Sequence, residues 1–265
     1  VIGGNNPSER NIIVGSDAGI DVRCSDVSVY GNYIGVGKDG VTSIFGESNT
    51  GSNGIGILQQ TNFPGAPYTD MTVGGPNTGD TNVISGFPGA AIVLAGDQNT
   101  IQGNIIGGDY TGNENVNLNS GAGISMYFGS SNNLIGGVSA NKGNILVGTK
   151  GAAIASLGVE IPFYDLYPTG QKNVILGNSI FQVGILPYYN WGESNIGIDI
   201  LTGSYSGAPQ GAPETYTDTG PNDPLQSNNF SKTNNYLRSP TLNSAVQVGD
   251  TLSIDFNLDV VGSDS

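Results

Sequence analysis

A pair of glycines that returns twice constrains this chain more than any other feature. Gly3-Gly4 recurs as Gly74-Gly75 and Gly136-Gly137, at spacings of 71 and 62 residues. The strings Asn11-Ile12-Ile13, Asn82-Val83-Ile84 and Asn144-Ile145-Leu146 recur at the same two spacings. Two independent markers in one register describe an internal repeat, in which each unit buries its apolar face against its neighbours. A second element, Gly31-Asn32-Tyr33-Ile34-Gly35, returns as Gly103-Asn104-Ile105-Ile106-Gly107 and, degraded, as Gly177-Asn178-Ser179-Ile180-Phe181.

The third element is a small residue followed by Ile-x-apolar. It occurs at Gly19-Ile20-Asp21-Val22, Gly54-Ile55-Gly56-Ile57, Ala91-Ile92-Val93-Leu94, Gly123-Ile124-Ser125-Met126 and Gly197-Ile198-Asp199-Ile200, and Ala153-Ile154-Ala155-Ser156 departs from it only at the end. Strand alternation sends Ile20, Val22, Ile55, Ile57, Ile92, Leu94, Ile124, Met126, Ile198 and Ile200 to one buried face, and Asp21, Ser125 and Asp199 to the other. Between these strands lie Gly, Asn and Asp, which tolerate turn geometry, and the first 200 residues hold no sustained helical stripe. Three coils to a unit make each turn about 21 to 24 residues long, the size of one rung of a parallel β-helix. About nine such rungs at ~4.8 Å give a rod roughly 40 to 45 Å long.

Ile2-Gly3-Gly4, Val73-Gly74-Gly75, Asn82-Val83-Ile84-Ser85-Gly86, Gly103-Asn104-Ile105-Ile106-Gly107 and Asn133-Leu134-Ile135-Gly136-Gly137 resemble the coils of bacterial surface proteins built from right-handed parallel β-helix repeats. Val36-Gly37-Lys38-Asp39-Gly40 and Gly108-Asp109-Tyr110-Thr111-Gly112-Asn113 are similar to the polar excursion that follows such a coil. The likeness continues through Asp218-Thr219-Gly220-Pro221-Asn222 and Leu237-Arg238-Ser239-Pro240, which look like a closing coil and exit segment. It implies an all-β, right-handed parallel β-helix over residues 1–203 and a cap or linker over 204–240. It also implies a structural or adhesive role at the cell surface or outside the cell, as a stalk, surface-layer component or adhesin. The aromatic-rich Tyr164-Asp165-Leu166-Tyr167-Pro168 and Leu186-Pro187-Tyr188-Tyr189-Asn190-Trp191 depart from the usual short polar coil.

Residues 241–265 read differently. Leu252, Ile254, Phe256, Leu258 and Val260 alternate with polar residues, which predicts one amphipathic strand that begins a β-sandwich module. A lone strand cannot bury its face, so it is expected to be completed by further residues of the same chain or by a neighbouring molecule, the latter making a homopolymer. The opening Val1-Ile2-Gly3-Gly4 falls inside a repeat, which predicts that the chain is part of a longer one.

The charge balance narrows the chemistry. The chain carries 8 Lys+Arg against 22 Asp+Glu, a net charge of -14, no His and the single Cys24. Scattered cations offer no footprint for nucleic acid, no apolar run approaches a membrane span, and intrachain disulfides and thiolate zinc sites are excluded. Cys24 is expected to be at least half-buried. A galacturonase-like site of Asp residues with a Gly-His-Gly cannot be assembled without His. The lyase-like alternative would draw on Asp17, Asp21, Arg23 and Asp26, but Asp21 and Arg23 on one strand face also read as a solvated ion pair. No catalytic residue and no cofactor is therefore assigned. Gly35-Val36-Gly37-Lys38-Asp39-Gly40 matches a phosphate-loop pattern, yet no helix pattern follows it, so it reads as a turn.

Two groups remain as site candidates. Asp109, Asn113, Glu114, Asn115 and Asn117 form an oxygen-rich loop suited either to calcium or to a solvated turn, with Asp39 in the corresponding place of the first unit. Tyr164, Tyr167, Tyr188, Tyr189 and Trp191 concentrate aromatic surface that either caps the apolar column or recognises cell-surface glycans or a neighbouring subunit. Asn32, Asn104 and Asn178 read as turn residues that can stack as an amide ladder.

Overall fold

The computed structural model describes residues 1–42, 54–60, 62, 65–113, 122–127, 129–156, 172–183, 197–200, 241–248 and 251–257. Short apolar strings separated by glycine-rich corners produce three parallel sheets of six strands each. The first sheet contains Ile2–Gly3, Ser28–Tyr30, Thr72–Gly74, Thr100–Gln102, Leu134–Gly136 and Val174–Leu176. The second contains Ile12–Ile13, Tyr33–Ile34, Val83–Ile84, Ile105–Ile106, Ile145–Val147 and Ser179–Phe181. The third contains Ala18–Val22, Ile55–Gln59, Ala90–Leu94, Ala122–Met126, Ile154–Ser156 and Ile198–Ile200. Each rung gives one strand to every sheet before the chain climbs to the next, so the architecture is a parallel β-helix. A right-handed sense is what parallel crossovers adopt.

Six rungs are present among the described residues, in place of the expected nine. Ile2, Val29, Val73, Ile101, Ile135 and Ile175 stack in register, so successive turns advance the chain by 27, 44, 28, 34 and 40 residues. The spacings of 71 and 62 are therefore pairs of unequal rungs and not triplets of equal ones. The pairing arises at the corner between the first and second sheets. Odd rungs pass through a long turn there, as from Gly3 to Asn11, whereas even rungs turn within Tyr30-Gly31-Asn32.

Inside the coil, three apolar columns merge into one core. Val29, Val73, Ile101 and Ile135 meet Ile34, Ile84, Ile106 and Leu146 from the second sheet and Ile57, Ile92, Ile124 and Ile154 from the third. Most of the expected column is buried, with two exceptions. Ile57 pairs with Ile20, which aligns Ile55 with Ala18 and leaves Ile55 half-buried. The marker Gly-Ile-x-apolar had matched itself two residues out of phase in this rung, and Gln59 takes the place of Val22. Ile198, in the last strand of its sheet, is 43% exposed, and the side chain of Ile200 lies outside the described residues.

Two amide ladders line the corners. In the first, the Nδ2 of Asn11, Asn32, Asn82, Asn104 and Asn144 each donates to the Oδ1 of the next Asn up the coil, ending at Asn178, over 2.9 to 3.1 Å. The remaining amide hydrogens go to main-chain carbonyls such as Val29 O, Val73 O and Ile101 O. Asn32, Asn82, Asn104 and Asn144 are no more than 1% exposed, so the ladder satisfies polar groups that burial would otherwise penalise. The second ladder runs from Gln59 through Asn99 and Asn133 to Asn173.

The repeated glycines make room for the first ladder. Gly3, Gly74 and Gly136 have φ of +79°, +72° and +91°, and a Cβ on any of them would collide with the ladder amide of the following rung, Asn32, Asn104 or Asn178. Gly74→Ala is expected to cost about 2 to 3 kcal/mol, from left-handed strain plus the collision, measured as a shift in the urea unfolding midpoint.

Two paired strands, and not the lone strand expected from the sequence, are present between 241 and 257. Thr251–Asn257 pairs antiparallel with Thr241–Val248, from Val248↔Thr251 to Thr241↔Asn257, with a register shift between Leu242 and Ser244. That shift breaks the alternation by which the first strand would have been recognised. The linker at 204–240 and residues 258–265 lie outside the described residues.

Candidate functional site

The alternation of long and short corners builds a cleft on the outer face of the first sheet. Each of the first two long turns contains one turn of 3-10 helix, Pro7–Glu9 in rung 1 and Thr78–Asp80 in rung 3. Glu9 Oε2 accepts from the main-chain N–H and the side-chain amide of Asn6, both at 3.0 Å. Asp80 Oδ2 accepts the equivalent pair from Asn77, at 3.1 and 2.8 Å. The carboxylates thereby fix the turns that carry them.

The short turn of rung 2 is recessed between these long ones. Gly31, at φ +65°, is pressed by the carbonyls of Gly4 and Gly79, and its N–H donates to Asp80 O at 3.1 Å. Above this floor opens a cleft of about 570 Å³ lined by Asn5, Glu9, Tyr30, Thr72, Asn77, Asp80 and Gln102, with Gly3, Gly4, Gly74 and Gly75 as bare backbone. None of these cleft residues was singled out by sequence reasoning as a site. The visible signal was the Gly-Gly repeat followed by an acidic residue at Glu9 and Asp80, which is replaced by Lys142 in the third unit.

The expected calcium loop is only partly described. Asp109 Oδ1 accepts from the N–H and hydroxyl of Thr111 and from the N–H of Asn113, while Glu114, Asn115 and Asn117 lie outside the described residues. Asp39 is not the positional equivalent of Asp109, because Gly37 makes the corresponding backbone bonds, to Gly40 and Thr42. Both loops fold back over the second sheet. Val36 packs with Tyr33, Val83 and Ile105 on its outer face, and Tyr110 N–H donates to Gly40 O at 3.0 Å, tying one loop to the other. Arg10 covers the Tyr33 ring at 4.0 Å.

Asp39 accepts hydrogen bonds from the Thr42 hydroxyl and from the N–H groups of Thr42 and Val41, which lowers its pKa from 3.8 to about 2. A depressed carboxylate stabilises the fold fully above its unfolded value and loses that contribution as it is protonated. The clasp over 36–42 is thus expected to be intact above pH 3.8 and to open as the pH falls through about 2. A carbon-detected titration of the Asp39 carboxyl with a midpoint near that of a free side chain would refute this.

At the other candidate positions, Asp21 and Arg23 form an exposed ion pair at 2.8 Å. The pair raises the Arg23 pKa, first through the hydrogen bond and then through the charge of Asp21. Cys24 is exposed, against expectation. Tyr164, Tyr167, Tyr188, Tyr189 and Trp191 lie outside the described residues. Among the described residues no three acidic, Cys or His side chains gather in a metal-sized group, and no helix is long and apolar enough to cross a membrane. Comparison with protein-family models, curated proteins and solved structures finds no match to this chain.

Proposed function

We propose that the chain is a non-enzymatic structural and adhesive segment of a large cell-surface or secreted protein, a stalk that holds other parts at a fixed spacing and engages glycans or neighbouring subunits. The observation that supports this most is the continuity of the ladders. Six rungs share three sheets, an apolar core and a corner line of amides, and this repetition resists collapse along the coil without requiring a reactive centre.

Lyase-like chemistry is the weaker reading. A deprotonating Arg needs a lowered pKa, and the Asp21 contact drives Arg23 the other way. Incubating the chain with pectate, alginate and neutral glycans is expected to release no unsaturated ends. Turnover that disappears in Arg23→Ala would replace the stalk with an enzyme.

A further inference from the structure

The cleft between the first two long turns has a chemistry of its own. Glu9 and Asp80 each use one carboxylate oxygen to hold a turn. Their other oxygens, Oε1 and Oδ1, accept no hydrogen bond from the described residues and remain within reach of solvent. The side chains lining the cleft include two carboxylates, the Tyr30 ring, the Thr72 hydroxyl and the amides of Asn5, Asn77 and Gln102, with Val1 and Pro76 beside them and no Lys or Arg side chain. Four glycines leave the intervening backbone uncovered.

We propose that this cleft binds a glycan carrying free amino groups. An ammonium group supplies donors to the open carboxylate oxygens, in charge-assisted hydrogen bonds, while the Tyr30 ring and the bare glycine backbone leave room for the apolar C–H face of a sugar ring. The volume is in the usual range for ligand clefts. A basic peptide fits less well. Peptides are held by adding a strand to a sheet edge or by filling an apolar groove, whereas this floor is the face of a sheet paired on both sides at Ser28–Tyr30. Neutral or acetylated sugars leave the carboxylates without partners, and anionic ones are repelled, so selectivity follows from the same oxygens. The inference rests on the adhesive reading and names its partner class.

Calorimetric titration of the full chain with a fully de-N-acetylated glucosamine tetramer tests it, beside the N-acetylated tetramer and tetralysine. The amino tetramer is expected to bind, and the acetylated one to bind about tenfold more weakly or not at all. Glu9→Gln and Asp80→Asn each keep an oxygen for the turn but remove the charge, and each is expected to weaken binding about tenfold, the exposed Glu9→Gln with the melting temperature unchanged. Should Asp80→Asn fail to fold, the exposed Glu9 carries the comparison alone. Absence of binding, equal affinity for the acetylated tetramer, tetralysine binding as tightly, or an unaltered affinity in Glu9→Gln would each overturn the proposal. None of these results would produce polysaccharide turnover, so failure of the cleft is distinguishable from failure of the stalk reading.

Discussion

Asn104→Asp is expected to destabilise the protein by about 4 to 5 kcal/mol at neutral pH, although it exchanges one atom for another of nearly equal size. Asn104 Nδ2 donates to Val73 O, Gln102 O and Asn144 Oδ1 at 2.9 to 3.0 Å, and the substitution sets an oxygen against these three acceptors in a site only 1% exposed. Burial also raises the folded pKa of the introduced carboxyl, so its neutral form is favoured in the folded state. Stability of the variant is then greatest below the unfolded carboxylate pKa and falls as pH rises through the folded value, and urea midpoints at pH 4 and pH 7 will show the penalty shrinking at the lower pH. Asn104→Ala is expected to cost about 3 kcal/mol with no such pH dependence. A loss below about 1 kcal/mol for Asn104→Asp would mean that the ladder is dispensable.

Position along one column decides the second large effect. Ile92 is fully buried between Ile57 and Ile124, so Ile92→Asp is expected to cost about 5 kcal/mol or more by leaving a charge without a partner in the core. The same substitution at Ile198, 43% exposed in the last strand of the same column, should cost well under half as much. Hydrogen exchange should show the Ile92→Asp damage centred on rungs 2 to 4, because rungs are stabilised by their neighbours. Equal penalties at the two positions would contradict the stacking order.

The repeat was legible because Gly3, Gly74 and Gly136 each answer a steric demand that no other residue meets, and such demands leave fixed marks in a sequence. The rung count was not. Division by three assumed equal coils, whereas successive turns advance by 27, 44, 28 and 34 residues, and the longer ones are those with the short Gly31 and Gly103 corners, so the added length lies elsewhere in the coil. Asn32, Asn104 and Asn178 could be read as a ladder because each follows a glycine in a short corner, but Asn11, Asn82 and Asn144 in the same line close long turns of varied sequence. The second ladder escaped because its line changes chemistry. Asn99, Asn133 and Asn173 give way to Met71, and Gln59 joins from the end of another strand. The cleft was invisible for a related reason, since Glu9 and Tyr30 become neighbours only when a short rung stands beside a long one.

Alternation of corners also sets a quantum for changes in length. A long turn is stacked against the next long turn, Gly79 lying over the carbonyl of Asn5, with the Gly31 turn pinched between them. Excision of a single rung would bring two like corners together. Two long turns would then compete for the space made for Gly31, or two short ones would face each other with nothing to accept their N–H groups. Removal or duplication of a whole pair, as from Val29 to Ile101 or from Val73 to Ile135, restores every interface. The coil is therefore expected to grow and shrink in steps of two rungs, about 10 Å of axial rise each, and engineered spacers that gain or lose an odd number of rungs should misfold where those changed by an even number do not.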